Sequence, residues 1–355
     1  MARLRISVLI DTYNHERFIE EAVQSVLAQD FPVADREILV VDDGSTDNTP
    51  DLLRKFGPQI RILRKPNGGQ ASAFNLGIPE CTGEIVAFLD GDDWWTPAKL
   101  SRIVQVFATN ANVGLVGHGI REVFSDGGEI LQTLHEEQQF QVNSIESARL
   151  FRLRKAFLGT SRMAVRTSVL HQMGKVPETL RLQADEYIFT MAAILSQTII
   201  LKDPLTYYRL HSSNGFQVSS KEPVALRKKY QVLADLAKSL QAALAQRGVK
   251  KEVSEAILAA IQTESTLIRL AVDGGFPWET VFTEFQESRI LYPNASTGKR
   301  ILKLASLLPA FVMPPKAYYQ IRNKVTSSRL YTHIREKWMP QSRLDHIDRQ
   351  TSSRS

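Results

Sequence analysis

Cys81 is the only cysteine in this sequence of 355 residues. A disulfide framework and a cysteine-ligated zinc site are thereby excluded, and a reducing compartment fits. Long apolar runs are missing too. No stretch approaches the roughly 20 apolar residues of a membrane span. The apolar start of the chain is too short for a signal peptide, and Asp11 interrupts it. The expectation is therefore a cytoplasmic protein. Acid is scarce at the far end. Residues 295–355 hold twelve Lys/Arg against three Asp/Glu, a balance of +9, which leaves residues 1–294 at −3 of the total of +6. A mildly acidic body argues against nucleic acid as its partner and directs any anionic partner to the tail.

What is present is ordinary globular material, 43% hydrophobic and 23% charged, arranged as alternating strands and helices. Residues 6–10, 38–41, 60–63 and 85–89 are short apolar runs. Between the first two, Phe18, Ile19, Ala22, Val23, Val26 and Leu27 recur at helical spacing. Thr49 before Pro50, and Thr96 before Pro97, read as helix caps. This pattern predicts an α/β fold with a mainly parallel sheet flanked by helices. Residues 113–116, 120–124 and 130–134, with a turn at Ser125-Asp126-Gly127-Gly128, predict strands and a hairpin. Short strands at 199–201 and 206–210 make the second half of the sheet mixed. From about Glu222 the periodicity is helical. The expected layout is an α/β domain over 1–215, a helical extension over 216–335 and a disordered basic tail over 336–355.

Acids sit where the apolar runs end. Asp90, Asp92 and Asp93 follow 85–89 at once. Three carboxylates this close repel one another unless a cation lies among them, and oxygen ligands select a hard ion, Mg2+ or Mn2+. Asp43 ends the second run. A carboxylate there can accept the imide-type N–H of uracil, thymine or guanine, which cytosine and adenine lack. That discrimination is about 1–3 kcal/mol. Thr12 and Tyr13 can pack around such a base, Asp90 can meet a ribose hydroxyl, and Asp92 can hold a divalent metal across a diphosphate. Taken alone, Asp42-Asp43-Gly44-Ser45 reads better as a turn before a capped helix.

Four motifs in order change that balance: Ser7-Val8-Leu9-Ile10-Asp11-Thr12-Tyr13-Asn14, then Val40-Val41-Asp42-Asp43-Gly44-Ser45, then Asn67-Gly68-Gly69 with Asn75-Leu76-Gly77, then Phe88-Leu89-Asp90-Gly91-Asp92-Asp93. Together they resemble the family-2 glycosyltransferases of the GT-A fold. A weaker match runs through Ala184-Asp185-Glu186-Tyr187 and Leu205 to His211, and the helical extension is not covered. The resemblance implies a metal-dependent, inverting transferase. It would move one sugar from a nucleoside-diphosphate sugar, with a UDP-sugar the expected donor, to a hydroxyl of a glycan or lipid-linked acceptor. It implies that Asp43 binds the nucleobase, that Asp90 and Asp92 form the Asp-x-Asp motif with Asp92 on the metal, and that Asn75 lies on the donor side. It places Asp185 as the catalytic base, with Glu186 the rival, and His211 at the metal or the diphosphate. Two positions depart from the family. Asp11 stands where proline is usual. Phe74 stands where many members carry arginine, which shifts a phosphate-binding role to Lys65, Arg162 or Arg209. The Gln-x-x-Arg-Trp motif and membrane spans of the processive synthases are absent, so transfer of single residues is expected.

Trp94 and Trp95 can floor an acceptor site or pack beneath the next helix. In the tail, Lys299, Arg300 and Lys303 share a helical face beside Ile301, Leu302, Leu304 and Leu308. Two readings stay open: peripheral attachment to an anionic membrane at its inner face, or a helix packed on the catalytic domain with a solvated basic face. Two rival functions remain as well, a sugar-nucleotidyltransferase and a non-catalytic nucleotide-sugar-binding protein. The first usually needs a glycine-rich loop after its first strand, and Asp11-Thr12-Tyr13-Asn14 is not one.

Overall fold

The computed structural model describes residues 4–211 and 223–326. The expected boundary between 215 and 216 and the tail at 336–355 lie outside the described residues. Two compact units emerge, one from 4–142 with 154–211, the other from 143–153 with 223–326.

The first unit is built on a ten-stranded mixed sheet. Its strands are β1 (Ile6–Thr12), β2 (Arg36–Asp42), β3 (Arg61–Arg64), β4 (Ile85–Asp90), β5 (Trp94–Trp95), β6 (Val113–Phe124), β7 (Glu129–Gln132), β8 (Gln138–Phe140), β9 (Ala164–Arg166) and β10 (Gln197–Leu210). The order β3-β2-β1-β4-β9-β6-β10-β5 runs across the sheet, with β7 on β6 and β8 on β10. The long pairings, β1 with β2 and β4, β2 with β3, and β6 with β10, are parallel. The apolar run 85–89 is fully buried, as a central strand covered on both faces requires. The helices are α1 (Ile19–Leu27), α2 (Thr49–Arg54), α3 (Gln70–Gly77) and α4 (Lys99–Thr109), then α5 (Ile145–Arg154) of the second unit, then α6 (Thr167–Met173) and α7 (Ala184–Leu195). The face of α1 that the periodicity marks, Ile19, Ala22, Val23 and Val26, is the buried one.

Three local expectations change. Residues 113–124 form one strand, because β6 keeps its pairing with β10 through Gly117 and Gly119. Residues 197–210 also form one strand, with register shifts on both sides of Pro204, which lacks an N–H for the ladder. Neither expected threonine caps its helix: Thr49 is already the first residue of α2, with its hydroxyl accepting the His15 N–H, and Thr96 lies before α4. Trp94 and Trp95 pair with β10, and the Thr96 N–H donates to the Leu205 carbonyl, so α4 starts only at Lys99.

The second unit is helical: α5, α8 (Pro223–Gln246), α9 (Lys251–Asp273), α10 (Trp278–Leu291), α11 (Thr297–Leu307), α12 (Pro309–Val312) and α13 (Pro315–Thr326). Helix α9 is its centre and packs on α8, α10 and α13. Glu284 of α10 is buried, where it accepts from Lys303 at 2.8 Å and Arg322 at 2.5 Å. Lys303 is therefore engaged in a buried ion pair, while Ile301, Leu302, Leu304 and Leu308 are exposed.

Candidate active site

The first two strand-end loops are laced together. Asn14 donates its N–H to Ser45 Oγ at 2.9 Å, and its Oδ1 accepts the Thr46 N–H at 2.8 Å. The His15 N–H donates to Thr49 Oγ1 at 3.0 Å. Asn14 holds φ 57°, a conformation that asparagine tolerates better than most residues. This lacing fixes Thr12, Tyr13 and Asp43 beside one another: the Asp43 N–H donates to the Thr12 carbonyl at 2.9 Å. Thr12 is buried and Tyr13 is exposed.

Asp43 itself is buried and saturated. Oδ1 accepts from Lys65 Nζ at 2.7 Å and the Gly68 N–H at 2.9 Å. Oδ2 accepts from Asn67 Nδ2 at 3.1 Å and the Gly69 N–H at 2.7 Å. The carboxylate thus moulds the turn that opens α3. Further along that helix, Asn75 exchanges two hydrogen bonds with the backbone of Val176, at 2.8 and 2.9 Å. Phe74 is buried edge-on against Phe88, which explains an aromatic side chain at this position.

The acidic centre lies at the ends of β1 and β4. Asp11 and Asp90 are register partners on adjacent strands, and their carboxyls act on one another electrostatically. Burial pushes both well above the usual carboxylate range, and the neighbouring acids add to the effect, Asp92 and Asp185 for Asp11, and Asp11, Asp92 and Asp93 for Asp90. Asp92 goes the other way. Burial alone would raise it, but the His211 hydrogen bond at 3.0 Å and the charges of His15 and His211 bring it below its ordinary value. His15 Nε2 stands 3.9 Å from the same Asp92 oxygen, while its Nδ1 is 3.2 Å from Thr12 Oγ1. Gly91 makes this packing feasible, because a Cβ there would lie 2.6 Å from Thr12 Oγ1 and 2.8 Å from His15 Nδ1. Asp93 points inward. Its Oδ1 accepts the Arg209 N–H at 2.9 Å, its Oδ2 has no hydrogen-bond partner among the described residues, and burial beside Asp92 pushes its pKa up to about 8. One oxygen each of Asp90, Asp92 and Asp93 come within 4.8 Å of one another.

Asp185 is the second residue of α7, which starts at Ala184 after Gln183 at φ 64°. Its Oδ1 accepts the Glu186 N–H at 2.8 Å and its Oδ2 the Thr160 N–H at 3.3 Å. Burial raises its pKa, and it acts electrostatically on both Asp11 and Asp90. Glu186 is paired with Lys155 at 2.7 Å.

Arg209 is built into the wall. Its Nε donates to the Asp92 carbonyl at 3.0 Å, its Nη2 pairs with Glu21, and its guanidinium lies over Trp94 at 4.3 Å and Phe18 at 4.8 Å. Trp94 stacks on Tyr207, and Phe18 packs against His211 with the rings tilted by 35°.

A sequence profile described as glycosyl transferase family 2 matches residues 7–174. An uncharacterized glycosyltransferase of Nostoc is 38% identical over 219 residues, which is 60% of this chain and 66% of that protein. The chain belongs to glycosyl transferase family 2. Among its relatives, the poly(ribitol-phosphate) beta-N-acetylglucosaminyltransferase TarS of Staphylococcus aureus is 28% identical over 212 residues, 58% of this chain and 35% of TarS. The family-2 chain thus spans about two thirds of the Nostoc relative and about a third of TarS. Residues 1–349 of S. aureus TarS, solved in complex with UDP-GlcNAc, superimpose with a TM-score of 0.60 at 20% identity, covering 90% of this chain and 91% of that one. The mixed sheet with helices on it is therefore the GT-A fold.

Asp11, Asp90, Asp92, Asp93, Asp185 and His211 come together in this candidate site. Thr12, Tyr13 and Asp43 share its β1–β2 side, and Asn75 is engaged with Val176. Sequence reasoning gave His15 no role. Its position three residues after Thr12, in the loop that leaves β1, was the available signal.

Proposed function

We propose that the chain is a metal-dependent, inverting glycosyltransferase that moves one sugar from a nucleoside-diphosphate sugar to a hydroxyl acceptor in surface glycan or glycolipid assembly. The observation that carries this reading is the gathering of Asp90, Asp92 and Asp93 within 4.8 Å, with Asp185 close enough to perturb Asp90. A UDP-sugar is the donor we favour, because the structural neighbour TarS was solved with UDP-GlcNAc and a relative is named an N-acetylglucosaminyltransferase.

The donor set suits Mn2+ or Mg2+. Asp92 and the adjoining carboxylates offer hard oxygen, His211 offers one imidazole, and Asp93 Oδ2 and Asp11 Oδ1 are buried polar atoms without partners among the described residues. When bound, the ion supplies charge neutralisation for the departing diphosphate. The chain's own groups do the rest. Thr12 and Tyr13 flank the base, and Asp90 accepts from the ribose. An imide N–H reaches Asp43 only by displacing Lys65 or Asn67 from it. Asp185 takes the proton of the acceptor hydroxyl as that oxygen bonds to the anomeric carbon. The bond to the diphosphate breaks, and its electron pair leaves with the nucleoside diphosphate. A base held above the ordinary carboxylate range by burial is matched to this task. The ion pair of Glu186 with Lys155 favours Asp185 over its neighbour.

A thermal-shift screen of UDP-, GDP- and dTDP-sugars with and without Mn2+ tests the donor. A rise in Tm with UDP-sugars that needs Mn2+ is expected, and no rise with any sugar nucleotide sinks the reading. For the acceptor we favour a lipid-linked glycan reached from the inner face of a membrane. No helix among the described residues is long and apolar enough to cross one. The exposed Ile301, Leu302, Leu304 and Leu308 and the basic stretch from 295 onward support peripheral attachment. Sedimentation with anionic vesicles at low salt is the check.

A further inference from the structure

Three residues, Thr160–Arg162, form a single turn that touches both sides of the site. The Thr160 N–H donates to Asp185 Oδ2 at 3.3 Å, and the Asp90 N–H donates to Ser161 Oγ at 3.0 Å. Thr160 Oγ1 also accepts from Gln70 Nε2 at 3.0 Å. Gln70 Oε1 accepts the Ala184 N–H at 3.0 Å, one residue before Asp185. The turn therefore spans from the acids at the end of β4 to the carboxylate at the start of α7.

Beneath the turn lies Lys99, fully buried at the start of α4. Its Nζ donates to the Ser161 carbonyl at 2.6 Å and to Thr206 Oγ1 at 3.3 Å, and it stands 3.8 Å from the centre of the Trp95 ring. Thr206 Oγ1 donates to the same carbonyl at 2.6 Å. A buried ammonium is tolerated only where its protons find acceptors. A carbonyl, a hydroxyl and an aromatic face surround the Lys99 amine; burial lowers its pKa well below the ordinary lysine value, and the charge of Asp93 works against that shift. Packing alone does not call for this group, since methionine fills a similar volume without the desolvation cost.

We propose that Lys99 is a positioning residue which, through Ser161, sets the register between the donor-side acid Asp90 and the base Asp185. The proposal rests on the glycosyltransferase reading above. Lys99 touches none of the residues assigned to the donor, the metal or the base; its aromatic neighbour Trp95 is buried and pairs with β10 rather than facing an acceptor. Its replacement by methionine leaves the Ser161 carbonyl with one donor, and the turn is then free to shift under both carboxylates at once. A misplacement of about 1 Å at reacting groups can cost about 10²-fold in rate.

The test is hydrolysis of UDP-GlcNAc with Mn2+, followed by UDP release, in the wild type and in Lys99→Met, Ser161→Ala and Asp185→Asn. Calorimetric titration with UDP and Mn2+ counts the binding-competent sites in each. The expected result is a fall in kcat per competent site of about ten-fold or more in Lys99→Met and Ser161→Ala, with KM and UDP affinity within about three-fold. A purely structural lysine would lower the number of competent sites or the Tm and leave kcat per site unchanged. That outcome in Lys99→Met, with Asp185→Asn inactive, overturns the proposal alone. Where Lys99→Met does not fold, Ser161→Ala decides, since it removes one hydroxyl and leaves Lys99 in place. Wild-type turnover in Asp185→Asn overturns the assignment of the base, and the proposal with it.

Discussion

Replacing Asp43 by asparagine is the most demanding probe of the donor side. The carboxylate accepts four hydrogen bonds, two on each oxygen, from Lys65, Asn67, Gly68 and Gly69. Asparagine keeps one acceptor oxygen and turns an NH2 group toward donors, so no more than two of the four bonds survive. The others leave N–H groups facing N–H groups, and Lys65 loses its counter-charge. Each buried group left unsatisfied costs about 1–3 kcal/mol, and breaking a buried ion pair on one side costs about 3–5 kcal/mol. We take 3–5 kcal/mol as the total, because these terms overlap. For a unit of this size that is a fall in Tm of roughly 6–20 °C. Urea unfolding followed by tryptophan fluorescence reads it directly. A second readout is UDP affinity, which should weaken further than the loss of folded protein explains, because the moulded turn lies beside Thr12. A shift in stability below about 1 kcal/mol would show that the Asn67–Gly69 turn holds itself, and would refute the reasoning.

Asp185→Asn should lower donor hydrolysis by about 10²–10⁴-fold with UDP binding retained, as loss of a general base does. Because burial raises Asp185, wild-type turnover should fall as pH drops through a value above the ordinary carboxylate pKa, and a pH–rate profile flat across that range would remove Asp185 as the base. In the helical unit, burial alone would raise Glu284, but Arg322 and Lys303 hold it below its ordinary value of 4.5. A depressed carboxylate contributes stability above its unfolded pKa and loses it as pH falls through the folded value. Acid unfolding of this unit should therefore set in below about pH 4.5, and Glu284→Gln should be less stable at neutral pH with a flatter acid limb. Identical acid limbs in the two proteins would count against the buried clamp.

The legible parts of this chain are those where pattern and chemistry coincide. Five consecutive apolar residues at 85–89 suit a covered strand, and the three acids that follow at once fall at the sheet's edge, although alone they read as a solvated turn. Asp185 could be named because it falls at a helix start in a weak but ordered match. The lysines were illegible. Lys99 stands in the first turn of an amphipathic helix, where lysine is ordinarily solvated, and nothing local announces that Trp95, Ser161 and Thr206 close over it. Lys303 has the same history, since its partner Glu284 comes from another helix. His15 was hidden for a related reason. An isolated histidine has no pattern, and its meaning comes from Asp92, 77 positions later in the chain. Strand lengths failed where glycine and proline punctuate, at Gly117 and Gly119 in β6 and at Pro204 in β10, because pairing with a long partner overrides local breakers.

The ring contacts from Tyr207 through Trp94, Arg209 and Phe18 to His211 give the protein an optical handle of its own. An indole lying under a guanidinium senses that charge in its excited state. On the proposed function, a movement of His211 toward an incoming ion would pass through Phe18 and Arg209 to Trp94, three contacts away, so the light this residue emits should report on Asp92 without any label being added.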